Sequence, residues 1–406
     1  MADFARSEDP AVQAQLDRLA ALSPGGDRLG LDRIARLLDR LGRPQDLLPP
    51  VFHVAGTNGK GSTCAFLRAG LEAAGHSVHV FTSPHLVRFN ERIRIAGRLI
   101  SDPQLAALLG EVLDASDGID ASFFEVTTAV AFLAFSRNPA DACVIEVGLG
   151  GRLDATNVIG RPISTGIASL GLDHQQFLGS DIRSIAREKA GIAKRGVPLV
   201  LLAQDAEAEQ EIVRIAQERG ALVRLEGRDW QSDPSLTPAM PGEHQVRNAN
   251  LAWQMLAAQD RLPVDRNAFL AGLAVARWPA RFQLLSDGPL TGGHPTWLDG
   301  AHNPSAAAAL AGLLQQHGPM HIVLGILANK DAASIVDLLA PHALSLTFVP
   351  VADHAHHDPA ELAERFGGRA ATSLESALAG LPGPRLIAGS LYLAGEALRV
   401  NGQAPD

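Results

Sequence analysis

The stretch VFHVAGTNGKGST, Val51 to Thr63, sets the architecture of the first half of this chain. Apolar and β-branched residues lead into a turn with glycines at Gly56, Gly59 and Gly61, and a Ser-Thr pair follows. This order predicts a buried strand, a tight loop and the start of a helix. The backbone N–H groups of such a loop converge on phosphate oxygens, and the helix N-terminus adds partial positive charge. The stretch therefore predicts a nucleotide-phosphate site in an α/β protein.

The residues of this predicted phosphate loop are Gly56, Thr57, Asn58, Gly59, Lys60, Gly61 and Ser62. Lys60 supplies a mobile full charge. The usual G-x-x-x-x-G-K-[ST] pattern is not met to the letter, because an extra glycine separates the lysine from the hydroxyl. An ordinary turn between a strand and a helix is the alternative, since glycines are common there.

Composition limits the class of protein. The chain has 406 residues, 46% of them apolar. This length exceeds what one hydrophobic core usually organises, so we expect two domains. The net charge is −9 with both signs interspersed, which argues against nucleic-acid and polybasic membrane binding. Cys64 and Cys143 have apolar neighbours and no metal-ligand spacing, as buried thiols of a reducing compartment would. No run approaches the ~20 apolar residues of a membrane span, so we expect a cytoplasmic protein. We also expect a monomer.

Short apolar runs alternate with longer amphipathic ones up to residue 285, a pattern typical of parallel strands joined by crossover helices. The predicted strands are Val51–Val54, Ser77–Phe81, Ala142–Val147, Ile163–Ile167, Leu199–Leu202 and Leu222–Arg224. The predicted helices are Thr63–Ala74, Asp102–Leu113, Phe124–Arg137, Ile182–Ala193 and Arg247–Gln259. Residues 1–285 are therefore predicted to form a P-loop-type, mostly parallel sheet flanked by helices.

A segment dense in Gly, Pro and Thr, SDGPLTGGHPT, separates this set from a second alternation. Its predicted strands are Thr296–Leu298, His321–Leu324, Leu346–Pro350 and Leu386–Ala388. Its predicted helices are Pro304–Gln316, Ala332–Leu339, Pro359–Phe366 and Ser373–Leu381. Residues 286–406 are predicted to form a smaller, Rossmann-like α/β domain.

Polar residues follow several of the predicted strands. Glu146 ends an apolar strand in VIEVGLGGRLDATN, near the sheet edge where ligands gather. A carboxylate there needs a cation. This is either Mg²⁺ bound to nucleotide phosphates or a paired Arg152. His174 and Ser83 reach the same edge as candidate ligands, with a packed histidine and a turn serine before Pro84 as the alternatives.

Lys189 lies in IAREKAGI, on a predicted helix that follows His174. Glu188 and Lys189 are adjacent and so cannot share a helix face. Spacing alone favours a solvated charge pair.

Together these stretches resemble the Mur-ligase superfamily and, within it, the folylpolyglutamate synthase and dihydrofolate synthase enzymes. The matching segments, in family order, are HVAGTNGKGST, FTSPHLVRFNERIRI, FFEVTTAVAF, VIEVGLGGRLDATN, SLGLDHQQFLG, IAREKAGI, PARFQ and LDGAHNP. The resemblance implies an ATP-dependent ligase that adds L-glutamate to dihydropteroate and to reduced folates, through an acyl phosphate and with two Mg²⁺ ions.

The resemblance also implies roles for single residues. The phosphate loop would hold ATP. The magnesium ligands would be Ser83, Glu146, His174 and Lys189, the last resembling the family's carbamylated lysine, in which CO₂ has added to the amine. The catalytic residues would be Lys60, His174, Lys189 and His302, with His302 expected to contact ATP or substrate rather than act as an obligatory base.

Further contacts follow from the same resemblance. Nucleotide contacts would come from Asn248, Arg281, Asp299 and His302. The pteroate would contact Ser122, Phe123, Phe124, Glu125, Leu153, Asp154 and Ala155, although core packing is the alternative for both phenylalanines. The family's Gly-Arg-Phe is Ala280-Arg281-Phe282 here, which puts the local backbone geometry in doubt.

Other functions remain open at this point. The enzyme would be a single-activity folylpolyglutamate synthase if it does not act on dihydropteroate. Another Mur-type amide ligase would act on a nucleotide-linked cell-wall precursor. A P-loop kinase or NTP-driven switch would use ATP without joining anything, and a nonenzymatic module would only bind the nucleotide.

Overall fold

The two predicted alternations fold into two helix-flanked sheets. A computed structural model describes residues 6–22 and 29–405. In that part of the chain one unit runs to Ala239 and resumes at Gln245–Ala276, and the other combines Met240–His244 with Arg277–Pro405. The expected boundary after residue 285 lies several residues inside the second unit, because Gln283–Leu284 pairs with Thr296–Leu298.

The sheet of the first unit is mostly parallel. In the described residues its strands are β1 (Val51–Ala55), β2 (Val78–Phe81), β3 (Ile93–Ile95), β4 (Arg98–Leu99), β5 (Ala142–Glu146), β6 (Ser164–Ile167), β7 (Pro198–Leu201) and β8 (Leu222–Leu225). They lie in the order β4-β3-β2-β5-β1-β6-β7-β8, and only β2–β3 and β3–β4 pair antiparallel. Central strands β1 and β5 are wholly buried, and Val54 pairs with Glu146. The carboxylate therefore ends its strand beside the phosphate loop.

Helices surround this sheet. Up to residue 275 the described helices are α1 (Pro10–Ala20), α2 (Asp32–Arg40), α3 (Lys60–Ala73), α4 (Asp102–Ala115), α5 (Phe123–Arg137), α6 (Gln175–Leu178), α7 (Ile182–Ala190), α8 (Ala206–Glu218), α9 (Glu243–Ala257) and α10 (Arg266–Val275). One apolar core joins α1, α2, α4 and α5 to β1, β2 and β5, and another joins α7 and α8 to β6 and β7. None of the described helices combines the length and apolar character needed to span a bilayer.

The second unit repeats the α/β pattern on a smaller sheet. Its described strands are β9 (Gln283–Leu284), β10 (Thr296–Leu298), β11 (Met320–Leu324), β12 (Ala343–Phe348), β13 (Arg369–Ala370) and β14 (Arg385–Ala388). Its described helices after residue 277 are α11 (Pro304–His317), α12 (Ala332–Leu339), α13 (Pro359–Phe366), α14 (Leu374–Leu378) and α15 (Leu391–Val400). The strand order is β13-β12-β11-β14-β10-β9, parallel except for β9–β10. The predicted fold class is confirmed.

A buried carboxylate holds α7 to α8. Glu211 is 1% exposed and accepts hydrogen bonds from Arg214, Arg187 and Arg183. These bonds, that of Arg214 first, lower the pKa of Glu211 from 4.5 to about 2.

This carboxylate predicts an acid dependence of stability. A lowered pKa in the folded state contributes stability that is present above pH 4.5 and is lost as the pH falls towards about 2. We expect Glu211→Gln to unfold more easily than wild type at pH 7, with the difference narrowing below pH 4.5. Urea unfolding across this range measures it. Glu218→Gln, at an exposed partner of Arg214, is the control and should change little. A constant gap between Glu211→Gln and wild type at every pH would contradict the assignment.

Candidate functional site

The phosphate loop requires glycine at two positions. Gly56 has φ +151° and Gly59 has φ +86°, in the region that favours glycine. A Cβ would lie 2.9 Å from the Cβ of Ala168 at Gly56, and 2.4 Å from Oδ1 of Asn248 at Gly59. The predicted nucleotide contact Asn248 therefore lies directly against the loop.

Part of the loop is held by backbone bonds. The amides of Thr57 and Asn58 both donate to the carbonyl of Ser169, at 2.9 and 3.1 Å. The Thr57 hydroxyl donates to the carbonyl of Gly171 at 3.0 Å. In this structure these two amides thus fix the loop to the segment after β6, and their predicted contact with phosphate stays a prediction.

The remaining amides belong to the first turn of α3. The first intrahelical bond runs from Thr63 N to Gly59 O at 2.9 Å, so the N–H groups of residues 60–62 precede it at the helix N-terminus. The helix was predicted to begin at Thr63, but it begins at Lys60 because the left-handed Gly59 ends the loop there. The hydroxyl of Ser62 is buried and has no hydrogen-bond partner among the described residues. This end of the helix is therefore suited to an anion with its counter-ion.

Lys60, Glu146 and Ser83 converge at the same edge. Lys60 Nζ donates to the carbonyl of Thr57 at 3.3 Å and lies 4.0 Å from Glu146 Oε1. The amide of Ser83 donates to Glu146 Oε2 at 3.3 Å. Arg152, the alternative partner of Glu146, instead binds Glu188. Arg152 Nε and Nη2 donate to Glu188 Oε1 at 3.0 and 2.8 Å. The buried Glu146 thus lies between the loop lysine and the segment that carries Ser83.

These oxygen groups fit magnesium. Mg²⁺ is usually held by one or two carboxylates together with substrate phosphates and waters. Glu146 offers a buried carboxylate, and the Ser62 hydroxyl is a buried oxygen without a partner in the described chain. Across residues 6–22 and 29–405, no three His, Cys, Asp or Glu side chains group as a metal cluster. The donor set suits an ion that arrives with the nucleotide.

Removing the charge of Glu146 should weaken the binding of magnesium at this site. Glu146→Gln keeps the shape and an acceptor for Ser83 but lacks the negative charge. We expect the magnesium concentration for half-maximal turnover to rise roughly 10- to 100-fold. A magnesium titration of turnover measures this, with Glu72→Gln, on an exposed carboxylate further along α3, as the control. An unchanged titration would remove Glu146 from the ion site.

Lys189 is buried, and the solvated-pair alternative is contradicted. Its side chain is on α7, the residue is 5% exposed, and Nζ donates to the carbonyl of Gly56 at 2.9 Å. Burial, reinforced by the charge of Lys60, lowers the pKa of Lys189 from 10.5 to about 7, although Asp173 and Asp154 oppose this shift. Lys189 therefore lies next to the phosphate loop with a pKa near neutral pH, and in both respects it differs from a surface lysine.

His174 caps the short helix α6 in a left-handed conformation, with φ +51°. Its amide donates to the carboxylate of the buried Asp173 at 2.8 Å. A non-glycine residue in this region is uncommon and is found most often at Asn, Asp and His. The structure places His174 in the loop after β6, and its role as a magnesium ligand stays a prediction.

The first predicted pteroate segment forms the start of α5. Ser122 and Glu125 make a capping box, and Glu125 also binds Arg33 at 3.0 Å, so both have structural roles. Phe123 is buried in the core, as its alternative predicted. Phe124 is partly exposed, and a Cβ added at Gly148 would lie 2.3 Å from its ring. Phe124 packs against the same core and lies beside the loop that follows β5, and its contact with a substrate stays a prediction.

The second predicted segment, Leu153–Ala155, lies in that same loop. Asp154 is buried, and its Oδ2 accepts from the amide of Leu149 at 2.8 Å while Oδ1 accepts from the amide and hydroxyl of Thr156. Burial raises the pKa of Asp154, and these hydrogen bonds oppose the shift. Sequence reasoning passed over Thr156 and its partner His53, although a polar side chain within an apolar strand was an available signal.

In the second unit, Asp299 follows β10 and is buried. Its carboxylate accepts from the amides of Phe282 and Ala301, both at 2.8 Å. Burial raises the pKa of Asp299, and Arg281 opposes the rise. The side chain thus closes the turn that carries Arg281, and direct contact with ATP stays a prediction.

The backbone around Arg281 is unusual. Ala280 has φ +54° and Phe282 has φ +47°, both left-handed. The sequence departure from the family's glycine therefore falls where glycine is favoured, and alanine there costs roughly 1–2 kcal/mol. His302 Nδ1 lies 2.8 Å from the carbonyl of Gly300, which fixes its ring.

The chain is similar to characterised proteins along most of its length. It is 36% identical over 356 residues to the dihydrofolate synthase/folylpolyglutamate synthase of Bacillus subtilis, covering 80% of this chain and 81% of that protein. No protein-family model matches the chain.

Solved structures share the whole fold. E. coli FolC in complex with DHPP and ADP is 32% identical, with a TM-score of 0.85 over 97% of this chain and 98% of that one. A bifunctional folylpolyglutamate synthase/dihydrofolate synthase with Mn, AMPPNP and L-glutamate bound is 31% identical, with a TM-score of 0.86 over 98% and 99%. The order of motifs, the two sheets and these similarities agree, and the chain belongs to the dihydrofolate synthase/folylpolyglutamate synthase family.

Proposed function

We propose that this chain is an ATP-dependent ligase that adds L-glutamate to dihydropteroate, forming dihydrofolate, and to folate glutamates, forming polyglutamates. The ligands of the similar structures, which are ADP with DHPP in one and AMPPNP, Mn and L-glutamate in another, support this assignment. The single observation that carries it is the convergence of Lys60, Glu146 and the buried Lys189 at the phosphate loop. That arrangement suits transfer of a phosphoryl group to another anion.

The first step would be attack of the substrate carboxylate on the γ-phosphorus of ATP, with ADP leaving. Both reactants are anions, so positioning and charge neutralisation dominate. Lys60 and the amides of residues 60–62, at the N-terminus of α3, would hold phosphate oxygens. Bound Mg²⁺ supplies further neutralisation between the two anions. Glu146, Ser83 and Ser62 provide oxygen groups that would hold the ion.

The second step would form the amide. The amino group of L-glutamate attacks the acyl carbon, loses a proton, and inorganic phosphate leaves with one oxygen of the original carboxylate. A free carboxylate is a poor acylating agent at neutral pH, whereas the mixed anhydride reacts readily. In this proposal the enzyme uses the γ-phosphoryl group of ATP to convert the carboxylate into that anhydride.

We also propose that Lys189 is carbamylated. CO₂ adds only to a neutral amine, and a pKa of about 7 leaves a large neutral fraction at physiological pH. The product is a carboxylate, an oxygen ligand of the kind Mg²⁺ takes, and its proposed partner is His174. Carbamylation would also remove an ammonium group that bound cations would repel.

We likewise propose a cytoplasmic location, small-molecule partners only, and a monomeric state. Both cysteines are free and buried, in keeping with a reducing compartment such as the cytoplasm. Interspersed charge supports small-molecule substrates without a nucleic-acid or membrane partner. A monomer suffices for the proposed reaction.

Product mass analysis tests the assignment. Dihydropteroate and a reduced folate monoglutamate are each incubated with ATP, magnesium and glutamate. We expect both to gain glutamyl residues, with ADP formed only when glutamate is present. Gain on the folate alone would reduce the enzyme to a folylpolyglutamate synthase. ADP release without glutamate, and without a joined product, would favour a kinase or NTP-driven switch.

A further inference from the structure

A buried chain of polar side chains runs beneath the site. His53 is on β1, and its Nε2 lies 2.8 Å from the hydroxyl of Thr156, in the 3₁₀ turn Ala155–Val158. That hydroxyl lies 2.5 Å from Oδ1 of Asp154. All three side chains are buried. This row of hydrogen-bonded side chains therefore connects the central strand β1 to the loop that follows β5.

The direction of the hydrogen bonds follows from the donors. The Asp154 carboxylate already accepts backbone N–H groups from Leu149 and Thr156, so the Thr156 hydroxyl donates its only proton to it. His53 must then donate from Nε2. Its Nδ1 is unprotonated, and it is buried without a hydrogen-bond partner in the described structure. Burial, aided by the charge of Lys194, lowers the pKa of His53 to about 3, which keeps the ring neutral.

The same turn reaches the end of α7. Asn157 Nδ2 donates to the carbonyls of Arg152 and Gly191, at 3.0 and 3.1 Å. The amide of Arg152 donates to the carbonyl of Glu188 at 2.7 Å. A Cβ at Gly191 would lie 2.3 Å from Cα of Arg152, so the two backbones are in direct contact. The loop after β5 is thus fastened to the turn of helix that carries Lys189.

We infer that His53, Thr156 and Asn157 are positioning residues that hold Lys189 against the phosphate loop. β1 leads directly into Gly56, whose carbonyl accepts from Lys189. The polar chain connects that strand to the loop after β5, and Asn157 connects the loop to α7. Lys189 and Gly56 are consequently fixed to one another through two linked anchors. The inference rests on the proposed ligase function, because it assigns these residues to the geometry of that reaction.

Removing the Thr156 hydroxyl should break this connection. Thr156→Val has nearly the same shape but leaves the His53 N–H and an Asp154 oxygen without their shared partner. A partly satisfied buried network is less stable than a complete one, and the loop is expected to shift. A displacement of about 1 Å at a distance from the chemistry lowers turnover by about 10²-fold.

The test compares matched threonine variants. Thr156→Val should lower kcat by about 10²-fold with little change in the KM for ATP. Thr156→Ser, which keeps the hydroxyl, should restore most of the loss. Thr165→Val is the control, because Thr165 is equally buried on β6 and its hydroxyl donates to the carbonyl of Pro198 at 2.9 Å. It should lose comparable stability in urea unfolding and keep kcat within about twofold of wild type.

A second measurement does not depend on activity. Nitrogen NMR of the imidazole, assigned by the signal that His53→Gln removes, should show a neutral His53 with its proton on Nε2 in the unaltered chain. This decides the direction of the network even if Thr156→Val does not fold. A proton on Nδ1 would overturn the inference, as would a Thr156→Val enzyme as active as Thr165→Val. If product analysis instead refutes the ligase function, the NMR and unfolding measurements still decide whether the hydrogen-bond network exists as described.

Discussion

Replacing Lys60 with alanine should abolish ATP-dependent product formation. Lys60 supplies the full positive charge of the phosphate loop, with Nζ held over the loop by the carbonyl of Thr57. Removing a single group that stabilises transition-state charge typically lowers kcat by about 10²–10³-fold, and the loss of a full charge should reach at least that range. Rates of glutamate-dependent ADP release and of product formation measure the effect.

The structure supplies a control for this variant. Arg68 is a second cation on α3, bound to Glu72 at 3.7 Å and remote from the phosphate loop. Arg68→Met should therefore leave turnover close to wild type. Calorimetry should show weaker ADP binding by Lys60→Ala with unchanged far-ultraviolet circular dichroism. Retained activity in Lys60→Ala would mean that the phosphate site lies elsewhere.

Replacing Lys189 with alanine should have an effect of similar size. The variant loses the carbamate proposed for this buried amine, and with it an oxygen ligand near the phosphate loop. We expect turnover to fall by at least about 10²-fold, with folding preserved, because the smaller side chain leaves only the Gly56 carbonyl without its partner. Turnover and urea unfolding measure the two parts of this expectation.

Chemical rescue distinguishes a lost carbamate from lost packing. Acetate or propionate should enter the space left by Lys189→Ala and restore part of the activity. The same acids should not rescue Lys60→Ala, and Lys189→Arg, which cannot be carbamylated, should stay inactive. Below pH 7 the amine of the wild-type lysine becomes increasingly protonated, so more bicarbonate should be needed for full activity. Wild-type turnover by Lys189→Ala would make the lysine a structural residue.

Much of the first unit could be predicted from local patterns. The run of apolar residues before Gly56 predicts β1, and the spacing of glycines predicts the loop and α3, because both follow from local backbone requirements. The carboxylate on an apolar strand likewise places Glu146 at the sheet edge. The hairpin β3–β4 was missed, since strands of three and two residues are too short to show alternation. Helix α8 was also missed, although Ala208, Ile212 and Ile215 have helical spacing and are buried.

The remaining features depend on contacts between distant segments. Lys189 looks solvated from its spacing with Glu188, whereas in the structure α7 packs against the loop after β5 and the Lys189 amine contacts the Gly56 carbonyl. The amides of Thr57 and Asn58 donate to the carbonyl of Ser169, more than a hundred residues later, and the contact of this loop with phosphate stays a prediction. No local pattern encodes such pairs. The resemblance to a known family therefore singles out Lys189 as a candidate ligand where elementary spacing arguments do not, and that role stays a prediction.

Oxygen-isotope transfer tests the central claim most directly. Substrate labelled with heavy oxygen in its reacting carboxylate is incubated with ATP, magnesium and glutamate, and the inorganic phosphate is analysed by mass spectrometry. An acyl phosphate requires that one labelled oxygen appears in phosphate for every amide formed. Unlabelled phosphate alongside the joined product would show that the carboxylate is never phosphorylated.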